Sequence, residues 1–275
     1  MAIFFGVVVF IFGAIIGSFL NVVILRYKTG RTIGGRSFCF SCGKTLRVLE
    51  LVPILSFLIL RGKCASCKSR VSLQYPLVEA LTGLIFLLVY LKSFYLLPFL
   101  PFPLLSFSFY CLVFSILTVV SVYDIRHKIV PDFLSFLFGT VALIWLLGTH
   151  DSQYFISTQG IFDLLAGPIL FIPFFLLWFL SDGRWMGLGD GKLAVGIGWL
   201  LGFTKSVSAI ILGFWIAAGV SLLMIGLQRF FVRNLPNLSS KTEVPLAPFL
   251  ALGAFLAYYF ELDLMSLNIL LFGTT

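Results

Sequence analysis

Long apolar runs alternate with short polar segments along almost the whole chain. A helix needs about 20 apolar residues to cross a hydrocarbon core of roughly 30 Å. Seven runs approach that length, whereas an eighth, 192–203, would rise only roughly 18 Å. The pattern predicts an all-α polytopic membrane protein with about eight transmembrane helices. The runs are 2–25, 74–91, 104–123, 133–147, 161–180, 192–203, 206–227 and 248–271.

The amino-acid composition agrees with a lipid bilayer as the surrounding solvent. Of 275 residues, 60% are hydrophobic and 11% are charged, and the mean hydropathy is +1.10. These values exclude an ordinary soluble domain. The first apolar run has no basic segment before it and is longer than the apolar core of a secretory signal, so we expect a retained span.

The positive charges are distributed unevenly between the two sides of the membrane. Seventeen of the nineteen Lys and Arg lie in segments that share one side, and only Lys92 and Lys205 lie on the other. The positive-inside rule places the first side in the cytoplasm and both termini outside. The net charge of +8 therefore requires no nucleic-acid partner. The basic segments are 26–72, 124–132, 181–192 and 228–244.

Two CxxC pairs occur in the first basic segment, with 21 residues between them. This spacing is typical of a structural zinc site in which four thiolates leave no open coordination position. A loop this short builds little core, so bound zinc would contribute to its folding. The alternative is solvent-facing thiols or paired disulfides, of which the disulfides conflict with a cytoplasmic location. The four cysteines are Cys39, Cys42, Cys64 and Cys67, and the fifth, Cys111, lies in an apolar run and is expected to pack there.

Asp124 and Asp190 flank predicted spans on the cytoplasmic side. A carboxylate at the membrane boundary is costly unless it is paired, hydrated or functional. Two carboxylates within about 3 Å share a proton and can activate a water for attack on a peptide carbonyl. The glycines around Asp190 would let the backbone unwind beside an extended substrate. The pair predicts an aspartic endopeptidase.

A second interpretation is that the two aspartates only form ion pairs with Arg126, Lys128, Arg184 or Lys192.

The predicted domains are a first transmembrane helix (1–25), a cytoplasmic zinc-binding loop domain (26–72) and a transmembrane aspartic peptidase domain (73–275).

Other polar residues allow more than one interpretation. Asp132 follows Pro131 at a predicted helix start, where an acid caps the helix or serves chemistry. Asn21 and Glu79, near the cytoplasmic ends of the first two spans, could pair across the bundle or touch substrate. Gly13 and Gly17 predict a helix-packing face.

Several motifs together resemble the bacterial type IV prepilin peptidases, the leader peptidase and N-methyltransferase family of GxGD-type membrane aspartic proteases. They are GSFLNVVILR at 17–26, the CxxC pairs, YPLVEALTG at 75–83, the 124–132 motif and MGLGDGK at 186–192. The family pattern has an acidic residue just before Met-Gly-x-Gly-Asp, whereas this chain has Trp185, and its nearest acid is Asp182.

The resemblance implies that Asp124 and Asp190 are the catalytic pair. It implies cleavage after a Gly at the end of the basic leader of type IV prepilins or type II secretion pseudopilins, at the cytoplasmic face of the bacterial inner membrane. It also implies methylation of the new N-terminus with S-adenosylmethionine. Methylation rests on the resemblance alone, because the 26–72 loop is too small for a dinucleotide-type methyl-transfer domain.

Two other functions compete with this one. An intramembrane protease of the presenilin and signal peptide peptidase type shares Tyr123-Asp124 and Gly187-Leu-Gly-Asp190. Its Pro-Ala-Leu signature is missing, with PLAP at 245–248 as the nearest stretch, and it has no reason to carry a zinc loop. A non-enzymatic, ion-coupled transporter or a zinc-stabilised scaffold would place ions or protons at the aspartates. No internal repeat is visible, which disfavours many transporter folds.

Overall fold

The computed structural model describes residues 2–30, 32, 34–96, 103–231 and 244–264. This part of the chain is helical and contains no strand, only two isolated β-bridges, which confirms the all-α prediction. The α-helices are α1 (Ala2–Arg26), α2 (Leu55–Ile59), α3 (Gln74–Leu91), α4 (Pro103–His127), α5 (Asp132–Thr149), α6 (Thr158–Leu180), α7 (Leu188–Leu201), α8 (Phe203–Phe231) and α9 (Ala247–Phe260). Short 3-10 turns occupy Val48–Leu51 and Tyr154–Ile156, and a π turn occupies Lys92–Leu96.

Among the described residues, six helices are long and apolar enough to cross a membrane. Helices α7 and α9 have 14 residues each, so each rises about 21 Å, less than a hydrocarbon core of roughly 30 Å. A count of eight spans is therefore not confirmed. The six candidates are Ile3–Arg26, Gln74–Phe94, Pro103–His127, Asp132–Thr149, Thr158–Leu180 and Phe203–Gly226.

Two predicted runs differ in extent from the helices that form. Residues 192–201 of the run 192–203 belong to α7, which begins at Leu188 and so includes Asp190, and Gly202 separates α7 from α8. In the run 248–271, helix α9 ends at Phe260, because Glu261 has a left-handed backbone conformation (φ +53°). Residues 265–271 of that prediction lie outside the described residues.

The chain forms two compact units, Met1–Val119 and Val120–Thr275. In the first unit, α1 packs against α3. A Cβ on Gly17 would lie 2.8 Å from the Cα of Glu79, so the two helix backbones approach closely. Asn21 is fully buried; its amide donates to the carbonyl oxygen of Tyr75 (3.2 Å) and accepts from Gln74 (3.2 Å). Asn21 therefore pairs across the bundle.

In the second unit, α7 lies between α5 and α6 and also contacts α8 and α9. Its glycines occur in pairs seven residues apart, and residues at this spacing lie on nearly the same face of a helix. The pairs are Gly189 with Gly196 and Gly191 with Gly198. A Cβ on Gly198 would lie 2.7 Å from the backbone nitrogen of Gly167 in α6, and one on Gly196 would meet the ring of Phe138 in α5. These glycines let a short helix pack deeply among longer ones.

Gly198→Ala is expected to lower the midpoint of thermal unfolding by roughly 6 °C, because overpacking against backbone costs up to about 3 kcal/mol. The matched control is Gly219→Ala in α8, where a Cβ would meet nothing within 4 Å. Its midpoint should stay the same or rise, because Ala favours a helix over Gly. Thermal unfolding in detergent measures both, and equal midpoints would contradict the close α6–α7 packing.

Candidate active site and metal centre

Asp124 lies in the last turn of α4 and is only 4% exposed. Its Oδ2 accepts a hydrogen bond from the backbone N–H of Ala247 at 3.2 Å, and Ala247 is the first residue of α9. The start of a helix carries unpaired N–H groups and a partial positive charge. The α9 N-terminus therefore favours a negative charge on Asp124. The sequence analysis did not predict this contact. Pro248 does indicate that a helix starts near Ala247, but not that this helix start contacts Asp124.

Asp190 lies in the first turn of α7 and is 9% exposed. Its carboxyl group and that of Asp124 are close enough for a direct charge interaction. The structure thus brings together the two acids that sequence analysis selected, 66 positions apart in the chain.

The glycines next to Asp190 do not unwind the backbone, and that expectation was wrong. Asp190 belongs to a regular helix. A Cβ on Gly189 would lie 2.6 Å from the Cβ of Val130, and one on Gly191 would lie 3.0 Å from the Cβ of Phe174. The glycines therefore seat the first turn of α7 against its neighbours, which fixes the position of the Asp190 carboxyl group.

Two of the four basic residues near these acids, Lys192 and Arg184, pair with other carboxylates. Within the described residues, neither Asp124 nor Asp190 forms a salt bridge. Lys192 pairs with Asp132 at 2.6 Å, and Arg184 with Asp182 at 3.4 Å. The ion-pair interpretation of the two buried acids is therefore not supported.

Replacing Asp132 by Asn is expected to change the free energy of unfolding by less than about 1 kcal/mol, because exposed ion pairs contribute little. The Asp132 side chain is 75% exposed and that of Lys192 is 37% exposed. Thermal unfolding of Asp132→Asn and Lys192→Met measures this. A fall as large as that expected for Gly198→Ala would show that the pair holds α7 in place.

The four cysteine sulfurs converge: their Sγ atoms all lie within 4.8 Å of one another. The two CxxC turns have matching hydrogen bonds. The N–H of Cys39 donates to Lys44 O at 2.9 Å, and that of Cys64 to Ser69 O at 2.8 Å. The residues after the turns, Gly43 and Lys68, both have positive φ, at +71° and +58°. The sequence thus forms the same tight turn twice, once around each cysteine pair.

The geometry of the cluster fits a four-thiolate metal ion. The sulfurs of Cys39 and Cys67 are 3.8 Å apart, and four sulfurs at about 2.3 Å from a tetrahedral zinc are separated by roughly 3.8 Å. A disulfide needs about 2.05 Å, and all five cysteines are free. Backbone N–H groups of Cys42 and Ser41 lower the pKa of Cys39 to about 6, which favours the thiolate that binds metal.

Fold and site together define a class of protein: a multi-pass helical membrane protein with two buried, interacting carboxyl groups at helix ends. The model of the bacterial peptidase A24 N-terminal domain matches residues 11–93, and that of the type IV leader peptidase family matches residues 111–222. The chain belongs to the type IV leader peptidase family.

Similar proteins cover nearly the full length of the chain. The prepilin leader peptidase/N-methyltransferase of Bacillus subtilis is 32% identical, over 95% of this chain and 97% of its own. The protein of that name in Pseudomonas aeruginosa is 28% identical, over 89% and 87%. The type 4 prepilin-like proteins leader peptide-processing enzyme of Escherichia coli O78:H11 is 30% identical, over 90% and 91%. No solved structure gave a significant match. The presenilin-like and transporter alternatives are not favoured.

Proposed function

We propose that this chain is a membrane aspartic endopeptidase that removes the basic leader of type IV prepilins or type II secretion pseudopilins after a Gly, with Asp124 and Asp190 as the catalytic pair. The observation that carries the proposal is the pair of buried carboxyl groups within charge-interaction range at the ends of two helices. The names of the similar proteins supply the substrate class.

The surroundings of the two acids differ, and the difference assigns their roles. Asp124 accepts a hydrogen bond from the backbone N–H of Ala247, and this hydrogen bond favours its ionised form. No hydrogen bond to the Asp190 carboxyl group occurs in the described part of the chain. Because two neighbouring carboxylates do not both ionise readily, Asp190 carries the proton.

Peptide cleavage then follows from these two protonation states. Asp124 takes a proton from a water molecule as the water oxygen attacks the scissile carbonyl carbon. Asp190 donates a hydrogen bond to the carbonyl oxygen while negative charge develops there. When the C–N bond breaks, the proton held by Asp124 passes to the leaving amine. No nucleophilic side chain is needed.

We place the reaction at the cytoplasmic face of the inner membrane, with both chain termini outside. Asp124 lies in the same segment as Arg126 and Lys128, and Asp190 precedes Lys192. Basic residues mark the cytoplasmic ends of membrane spans. The lipid bilayer and the prepilin are the partners that this location requires.

We also propose that the enzyme methylates the new N-terminus with S-adenosylmethionine. The support is the N-methyltransferase in the names of the relatives. The described residues of the cysteine loop contain only short helical turns and no strand followed by a Gly-rich nucleotide turn. They do not fit a dinucleotide-type cofactor site, so no residue is assigned to S-adenosylmethionine and no step is derived through it.

The two activities are tested together but read separately. Purified protein in detergent is incubated with a prepilin that carries a basic leader, with and without S-adenosylmethionine, and the products are analysed by mass spectrometry. We expect cleavage after the Gly in both cases, and the mass of one methyl group on the product only with the cofactor. An intact prepilin would overturn the peptidase proposal. A cleaved but unmodified product would overturn only the methylation.

A further inference from the structure

The segment between the two CxxC pairs is apolar and exposed. It comprises the turn Val48–Leu51 and helix α2, neither of which has a buried residue. We call residues 48–60 the apolar segment. Six large side chains within it are exposed, which is more than the scattered surface hydrophobics of a soluble loop and marks an interaction surface. They are Val48 (78%), Leu49 (82%), Leu51, Leu55, Leu58 and Ile59 (77%).

Basic residues flank the apolar segment on both sides. Arg47 precedes it and Arg61 and Lys63 follow it, and all three are exposed. The acid within it, Glu50, accepts from the backbone N–H of Arg47 at 2.7 Å and pairs with Lys44 at 3.2 Å. An apolar stretch with cationic edges is complementary to an anionic lipid surface.

A hydrogen bond fixes the depth of the segment relative to a membrane span. The backbone N–H of Ile54 donates to Oε2 of Glu79 at 2.8 Å. Glu79 lies five residues after Gln74, where the candidate span Gln74–Phe94 begins. At 1.5 Å per residue, Ile54 is held roughly 7 Å below the start of that span. Amphipathic segments at an interface bury their apolar face about 5–10 Å deep, which is the same range.

We propose that the apolar segment is seated in the lipid interface beside α3. Its exposed apolar side chains enter the acyl region, and Arg47, Arg61 and Lys63 lie at anionic headgroups. The occupant is lipid rather than another polypeptide because Glu79 ties the segment to a spanning helix at membrane depth. Glu79 is then a structural anchor that holds the apolar segment at this depth.

Site-specific photocrosslinking tests the proposal in the intact protein. A benzophenone amino acid replaces Leu49 or Ile59, and the protein is reconstituted into vesicles of phosphatidylethanolamine and phosphatidylglycerol. The matched control carries the same probe at Ser41, an exposed residue of the same loop outside the apolar segment. After illumination and digestion, mass spectrometry should find lipid adducts at Leu49 and Ile59 at least tenfold above those at Ser41.

Two results would overturn the proposal. One is lipid labelling no higher than at Ser41. The other is crosslinking chiefly to a polypeptide, either a second copy or an added prepilin, which would make the segment a protein-docking surface. In vesicles of phosphatidylcholine alone, adducts should fall severalfold, and equal labelling would contradict the role given to Arg47, Arg61 and Lys63. Labelling does not require cleavage, so these outcomes are independent of the peptidase assignment.

Discussion

Replacing either Asp124 or Asp190 by Asn is expected to reduce prepilin cleavage at least about a thousandfold, because general acid–base catalysis by a positioned group contributes up to roughly 10⁴. Asn has nearly the same shape as Asp but neither accepts the proton of the attacking water nor carries an acidic proton. The amide introduced by Asp124→Asn would also face the Ala247 N–H that now donates to Oδ2. Cleavage rates by mass spectrometry measure the loss.

The matched control for this prediction is Asp151→Asn. Asp151 is exposed and lies beyond the end of α5 that is opposite Asp132. The chemical change is identical, so this variant should cleave at the wild-type rate. Thermal unfolding of all three variants separates loss of chemistry from loss of structure. If Asp124→Asn or Asp190→Asn is folded and retains more than a tenth of wild-type activity, the paired-carboxyl mechanism is wrong.

The local parts of the structure were predictable from sequence. The CxxC spacing determines two tight turns, and the convergence of Cys39, Cys42, Cys64 and Cys67 followed from it. The spans followed from hydropathy because every spanning backbone group must be satisfied within its own helix. The aspartate pair followed from the cost of carboxyl groups near the membrane and from the resemblance of the surrounding motifs.

The other features depend on contacts between distant parts of the chain, which no local pattern specifies. The N–H of Ala247 reaches Asp124 across 123 positions, and Lys192 reaches Asp132 across 60. The Gly-rich stretch around Asp190 predicts an unwound backbone on sequence alone, but glycine permits close helix packing as well as unwinding. Only the neighbours of Gly189 and Gly191 decide between these roles. Likewise, the proposed depth of residues 48–60 in the lipid interface depends on one hydrogen bond, from the backbone N–H of Ile54 to Glu79.

Replacing Cys64 by Ser is expected to remove bound metal and unfold the cysteine loop. Metal binding contributes about 10 kcal/mol or more to structural zinc sites, and the turn 48–51 and α2 bury no residue that could substitute for it. Cys64 is the only buried cysteine of the four, so its replacement would both remove one metal ligand and open the cluster. We expect one zinc per chain in the wild type, by elemental analysis of protein purified under reducing conditions.

Cys111→Ser supplies the matched control, because Cys111 is buried in α4 and is not part of the cluster. It should retain one zinc per chain, whereas Cys64→Ser should retain well under a tenth. Limited proteolysis then locates the structural effect: without zinc, cleavage should appear first between residues 36 and 72, because this loop has little core of its own. If the purified wild-type protein contains no zinc, or if both variants lose metal equally, these thiols do not form a structural metal site.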